Sequence, residues 1–224
     1  MSSLSPSVLG IDVVSDVVCP WCYVGKRQLE QALERRRAMY PDLPPPVVRW
    51  RPFQLNPGLP PGGMPRSTYL ERKFGATDGG GRYDRVLAAA RAVGLELRLD
   101  AIRVQPNTLK AHGLIELAAE SLDQSAAAEA CFQAYFQEGR DLSDDAVLRE
   151  IGVRLGMSET LVDTLLDSDS VTRIVAAADA ELREYGVSGV PLFIFGNALD
   201  ERVGVSGAQG TEALLEAMQR VQAA

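Results

Sequence analysis

Cys19 and Cys22 stand three positions apart in "SDVVCPWCYVGKRQLEQAL", Ser15 to Leu33, a spacing suited to two-electron sulfur chemistry. A thiolate attacks a disulfide sulfur, and a second thiol one helical turn away can attack the resulting mixed disulfide. A free cysteine is only a few per cent ionised at neutral pH, so the anion needs help. A helix N-terminus supplies it through unpaired N–H groups and the positive end of the dipole. Pro20 suits the first helical turn, where its missing N–H would have had no partner. Trp21 adds no cation, so a milder oxidant is expected than with histidine between the cysteines. Half a metal site and two small buried residues are the other readings of such a pair.

Pro191, in "GVSGVPLFIF", precedes a strand-like run. A cis proline there presents the backbone of Val190 to an extended partner lying beside the cysteines. His112, the sole histidine, either lines a cleft beside a thiolate or a bound thiol ligand, or is a satisfied core histidine. Asn107 is most simply an N-cap. Cys131, on an apolar stretch, reads as a buried free thiol, with a regulatory disulfide as the alternative. Cys19, Cys22, His112 and Cys131 are four zinc-competent residues, but they lack the two local pairs of a structural zinc site, and no metal is expected. Asp16 is either a carboxyl group assisting proton transfer from Cys22 or a turn cap. Lys26 folds back over a thiolate or is solvated. "RPFQLNPGLPPGG" borders the cleft or merely connects domains, and Arg35 to Arg37 read as a solvated helix end.

These residues need elements to position them. Leu9–Val18 is β-branched and reads as a buried first strand, Tyr23–Met39 as an amphipathic helix, and Val47–Phe53 as a second strand. Beyond a Pro/Gly-rich loop, more than a hundred residues show no strand. Helical periodicity is present near Tyr69–Phe74, Tyr83–Val93, Thr108–Ser121, Ala126–Gln137, Asp144–Leu155, Glu159–Leu166 and Ser170–Tyr185, with Ser143 and Ser158 as N-caps and Gly186 as a stop. Strands at Leu192–Phe195 and Glu201–Val205 and a helix at Thr211–Val221 close the chain. The late strands are too few for a sheet of their own, so the two ends must meet in one α/β domain with the helices inserted between them.

The 224 residues carry a net charge of −7 and are 46% hydrophobic and 24% charged, the profile of a folded globular chain. The negative balance argues against nucleic-acid and anionic-membrane partners. No run of about 18 apolar residues suggests a membrane span, and the N-terminal stretch reads as no secretory signal. A cytoplasmic location is the resulting expectation. Three cysteines do not make a disulfide scaffold.

With the motifs "SDVVCPWCYVGKRQLE", "WRPFQLNPGLP", "NTLKAHGLIELA", "AYFQEGRDLSD", "GVSGVPLFIF" and "VSGAQ" in this succession, the chain resembles the DsbA family of thioredoxin-fold oxidoreductases, particularly its FrnE-like branch. The resemblance implies a thioredoxin-like fold with a large inserted all-helical domain: residues 7–60 and 186–224 forming the first, 61–185 the second. It implies Cys19 as the attacking thiol, Cys22 as the resolving thiol and Pro191 as a cis proline. Pro20, Trp21, Val190, His112 and Asn107 join them as expected substrate contacts. Protein or small-molecule thiols and disulfides are the expected partners, with no cofactor beyond the dithiol and with glutathione or a thioredoxin-type reductant to recycle it. The alternative branch, glutathione-dependent 2-hydroxychromene-2-carboxylate isomerases acting on small aromatic metabolites, typically has serine where Cys19 stands. A zinc-stabilised binding module is the remaining rival.

Overall fold

A computed structural model of the chain describes residues 8–79, 81–119, 123–197 and 201–223. The elements run in the order β1 (Gly10–Ser15), α1 (Pro20–Met39), β2 (Val47–Pro52), β3 (Met64–Pro65), α2 (Arg66–Phe74), α3 (Asp84–Ala92), a 3-10 turn at Leu99–Ala101, and β4 (Val104–Gln105). They continue with α4 (Leu109–Ala118), α5 (Gln124–Phe136), α6 (Asp145–Arg154), α7 (Glu159–Asp167), α8 (Asp169–Glu184), β5 (Leu192–Gly196), β6 (Arg202–Ser206) and α9 (Thr211–Ala223). The end expected for one helix at Ser121 lies outside the described residues.

β1, the strand expected to be buried, is central in a four-stranded sheet of order β2-β1-β5-β6. It pairs in parallel with β2, from Gly10 opposite Val47 to Ser15 opposite Pro52, and antiparallel with β5, from Gly10 opposite Gly196 to Val14 opposite Leu192. β6 extends the sheet antiparallel to β5. The parallel β1–β2 pair requires a crossover, which α1 provides. The two ends of the sequence thus share one sheet, and the helices from α2 to α8 lie between β2 and β5 in the chain: a thioredoxin-like fold with a large helical insertion.

The insertion does not stand apart. α1 packs against α9, while α4, α5 and α8 pack against β2. One apolar core runs from Ile11 and Val13 of β1 and Phe193 and Phe195 of β5, through Tyr23 and Trp50, to Phe132, Phe136 and Ile151 of the insertion. The Tyr23 ring stacks on Phe132 with centroids 4.9 Å apart, and Trp50 meets Phe132 edge-on at 6.2 Å. Each such pair contributes about 0.5–1.5 kcal/mol beyond its buried area. α5 is therefore fastened to the helix that begins at the cysteines.

Three local differences from the sequence reading have physical causes. β3 and β4 pair antiparallel inside the segment expected to lack strands; at two residues each they are too short to show an alternating pattern. The N-cap of α6 is Asp144, whose carboxylate accepts from Ala146 N at 2.8 Å, while Ser143 donates to Asp141 instead. Ser158 does cap α7, accepting from Leu161 N. Arg36 is not part of a solvated helix end. It is 2% exposed, donates to Gln222 Oε1 and to the Pro44 carbonyl, and burial holds its pKa below the usual value.

Gly25 sets the distance between α1 and β5. A Cβ built there would lie 2.9 Å from Phe193 Cζ and 3.2 Å from Pro191 Cγ, closer than packed carbon atoms tolerate. The bare helix face is what lets the cysteine-bearing helix rest on the start of β5.

Candidate active site

The turn after β1 delivers Cys19 to the mouth of α1. Cys19 N donates to the Asp16 carbonyl at 2.9 Å, and the Cys19 carbonyl accepts from Cys22 N at 3.0 Å and Tyr23 N at 3.4 Å, opening the helix. Cys19 is the N-cap, with extended backbone and no side-chain bond to the opening N–H groups of the helix. Pro20 follows at the first helical position. The Cys19 Sγ lies 3.7 Å from the Val190 carbonyl, to which it can donate. The Val190–Pro191 peptide bond is cis, and the Pro191 carbonyl accepts from Gly207 N at 2.7 Å.

The two sulfurs occupy different environments. Cys19 lines a cleft of about 450 Å³ together with Val18, Pro20, Trp21, Leu55 and Asn56. Cys22 does not line it; Cys19 is 5% and Cys22 2% exposed, so it is the cleft wall that distinguishes them. Burial pushes the Cys22 thiol well above its ordinary range, and the hydrogen bond and charge of the neighbouring Cys19 push the same way; the Ser15 hydroxyl and the Asp16 backbone pull weakly against them. One thiol is reachable from the cleft, and the other is held protonated and dry behind it.

Asp16 is fully buried and ties three segments together. Its Oδ2 accepts from Leu55 N at 2.7 Å, its Oδ1 accepts from Val18 N at 3.5 Å, and His112 Nε2 lies 3.4 Å from Oδ1 without hydrogen-bond alignment. His112 is 3% exposed and borders a small hollow with Ser15, Trp50, Glu116 and Phe132, not the Cys19 cleft. His112, named as a substrate contact from the sequence, thus lies off the Cys19 cleft: α4 presents it to Asp16. Asn107 is likewise outside the cleft. It is not the N-cap expected, since Thr108 holds that position in α4; from one residue earlier it accepts from Leu109 N at 3.0 Å and donates to the Leu59 carbonyl at 2.8 Å, holding the loop after β2.

Lys26 neither folds over a thiolate nor reaches solvent. Its ammonium is buried between Glu30 and Glu129, 2.8 Å from Glu129 Oε2. Glu129 of α5 also receives Tyr23 OH at 2.8 Å and Arg27. Burial alone would raise the Glu129 pKa, but these donors hold it below the usual carboxyl range. The cluster is a second fastening between α1 and α5. The loop "RPFQLNPGLPPGG" serves both roles weighed for it. Leu55 and Asn56 border the cleft, while Gln54 N donates to Asp179 Oδ1 at 2.8 Å and the Gln54 carbonyl accepts from Arg183 of α8.

The far wall of the cleft comes from α2, the turn before α3 and α3 itself: Arg66, Tyr69, Lys73, Phe74, Arg82, Tyr83 and Val86. None of these was singled out from the sequence. The available signal was the interleaving of cations and aromatics in "RSTYLERKF" and "GRYDRV".

Cys131 is wholly buried in α5, and burial pushes its thiol up to about 12, with the Arg154 charge pulling slightly the other way. It is not gathered with Cys19, Cys22 and His112, and among the described residues no group of three or more His, Cys, Asp or Glu is placed to hold a metal ion. The raised pKa carries a pH dependence. In the unfolded chain this thiol ionises near 8.5, in the folded chain only near 12, so its contribution to stability is complete below about pH 8.5 and is lost as pH rises toward 12. Urea unfolding of the reduced protein should show that Cys131→Ala loses about 2 kcal/mol less than the parent between about pH 8.5 and 10.5. Equal losses would show that the site does not disfavour the thiolate.

Residues 10–219 match the DSBA-like thioredoxin domain family. The probable DsbA oxidoreductase SCO1869 from Streptomyces coelicolor is 31% identical and superposes with a TM-score of 0.81 over 96% of this chain and 90% of that one. A 2-hydroxychromene-2-carboxylate isomerase shares the fold at 17% identity, with a TM-score of 0.67 over 94% and 95% of the two chains. So does the cytosolic disulfide reductase DsbM from Pseudomonas aeruginosa, solved with GSH, at 19% identity and a TM-score of 0.60 over 96% of each. A dithiol at a helix mouth, a proline strand against it and a match over nearly the whole length lead to one assignment: this chain belongs to the DSBA-like thioredoxin-domain family.

Proposed function

We propose that the protein is a thiol-disulfide oxidoreductase or isomerase working through the Cys19–Cys22 dithiol on protein or small-molecule thiols and disulfides. The observation that supports this most is the asymmetry of the pair: Cys19 on the wall of a cleft, Cys22 buried behind it. The Cys19 thiolate attacks a substrate disulfide, forming a mixed disulfide and expelling one substrate thiolate. Cys22 then gives up its proton and attacks Cys19, expelling the second and leaving the protein disulfide. Two electrons pass from the dithiol to the substrate; the reverse sequence oxidises a substrate dithiol. Pro20 and Trp21 border the approach, and the Val190 and Pro191 backbone receives an extended substrate segment.

No metal or organic cofactor takes part, because both electrons reside on sulfur. Glutathione or a thioredoxin-type reductant recycles the pair, a reading in keeping with the GSH of the DsbM structure. Placement in the FrnE-like branch, a cytoplasmic location and the division into residues 7–60 with 186–224 and 61–185 belong to the same reading. Among the described residues no helix is long and apolar enough to cross a membrane.

The test is a trap. Cys22→Ser, incubated with a disulfide-containing peptide, should accumulate a mixed disulfide that mass spectrometry locates at Cys19. Adducts found only at Cys131 would overturn the assignment. Isomerisation of a hydroxychromene carboxylate with glutathione, persisting in Cys22→Ser, would favour the isomerase reading instead.

A further inference from the structure

Arg66 is 7% exposed, and among the described residues no carboxylate forms an ion pair with it within 4.0 Å. Its Nη1 donates to Gln105 Oε1, its Nη2 donates to Tyr83 OH at 2.7 Å, and its Nε is buried with no partner. The guanidinium lies over two rings, 5.3 Å from the Tyr69 centroid and 5.7 Å from that of Tyr83. Tyr135 OH reaches the same Gln105 oxygen at 3.3 Å, so the surroundings in contact with the cation are neutral. An unpaired buried charge is costly, and an arginine cannot shed its proton to escape the cost.

Two further cations share this wall. Lys73 Nζ donates to Tyr69 OH at 2.6 Å and lies 5.1 Å from that ring, and Arg82 lies 5.4 Å from the Phe74 ring. Among the described residues, no ion pair within 4.0 Å joins Arg66, Lys73 or Arg82 to a carboxylate, and no Asp or Glu lines the cleft. Asp78 and Asp100 border a separate hollow that Arg66 also lines. In a chain of net charge −7, three cations line the cleft beside Cys19, interleaved with Tyr69, Phe74 and Tyr83.

Resting on the exchange reaction proposed above, we infer that the cleft selects small disulfides and thiols bearing a carboxylate, with Arg66 as the residue that recognises it. A volume of about 450 Å³ suits a small molecule. The carboxylate accepts from the guanidinium while the sulfur faces Cys19. With a symmetric disulfide RSSR the balance is dithiol plus RSSR giving the Cys19–Cys22 disulfide plus two RSH, so no further oxidant is needed.

Single-turnover oxidation of the pre-reduced protein by three disulfides of different charge tests this: anionic dithiodiglycolate, neutral 2-hydroxyethyl disulfide and cationic cystamine. Each rate is normalised to oxidation of dithiothreitol by the same disulfide. The anionic substrate should be favoured about tenfold over the neutral one, and more over the cationic one, as expected for a charge-assisted hydrogen bond. The advantage should shrink with added salt and fall below about threefold in Arg66→Gln. Because Arg66 is buried, the double variant Lys73→Gln with Arg82→Gln, both exposed positions, provides a second reading and should also lower the ratio. Equal normalised rates, or a preference for cystamine, would overturn the inference while leaving exchange intact. Failure of all three disulfides to oxidise the dithiol would overturn the exchange reaction itself.

Discussion

Replacing Cys19 by serine is expected to reduce steady-state disulfide exchange by at least about 10³-fold, to the level of a chain lacking both thiols. The hydroxyl is not ionised at neutral pH and is no substitute for a thiolate. Cys131→Ala should leave turnover near the parent value, since that sulfur is wholly enclosed in α5 and held protonated. Cys22→Ser should behave differently from either, completing the first attack and then stalling. Insulin reduction by dithiothreitol, followed by turbidity, separates these cases. Retained turnover in Cys19→Ser would remove the asymmetry on which the mechanism depends. The comparison discriminates because Cys19 lines the cleft and Cys22 does not, although both residues are largely buried.

The second large effect belongs to Asp16. Its carboxyl group holds the turn before Cys19, the Leu55 amide after β2 and the His112 side of α4 at one buried point. Asp16→Ala leaves the Leu55 N–H and the Val18 N–H without this acceptor at a buried point. Such orphaned groups cost about 1–3 kcal/mol each when fully desolvated. A loss of about 3 kcal/mol or more in urea unfolding is expected, and Asp16→Asn, which keeps an acceptor oxygen, should lose less. A loss below about 1 kcal/mol for the alanine variant would show that the three segments are held by packing alone.

Much of the reacting geometry was readable before the fold was known, because it depends on local rules. A β-branched run followed by Cys-Pro-Trp-Cys places a thiol at a helix start through the strand's composition and the proline's tolerance of the first turn. The sheet was readable for a similar reason: Val47–Pro52 and Leu192–Gly196 carry strand composition on either side of a long helical stretch. Charged residues were the weak point. Lys26 and Arg36 read as solvated because their partners, Glu129 and Gln222, are more than a hundred positions away, and burial of a charge depends on such partners. His112 faced the same difficulty, since nothing in its own helix says that Asp16 lies opposite it. The cationic wall of the cleft was missed because α2 and α3 are distant in sequence from the cysteines they face.

Trp50 has a consequence that reaches outside the molecule. Its amide donates to Gln124 Oε1 at 3.0 Å and its indole to Ser125 Oγ at 2.9 Å, and β2 is a rim of the sheet. Val47 N and Phe53 N point inward to Leu9 and Ser15, so the outward amides fall at Val48, Trp50 and position 52, which is proline and has none. An incoming strand from another molecule would meet one occupied donor and one missing donor in succession. The insertion thereby blunts template-driven polymerisation along that margin, a protection that a bare thioredoxin sheet would have to find in some other way.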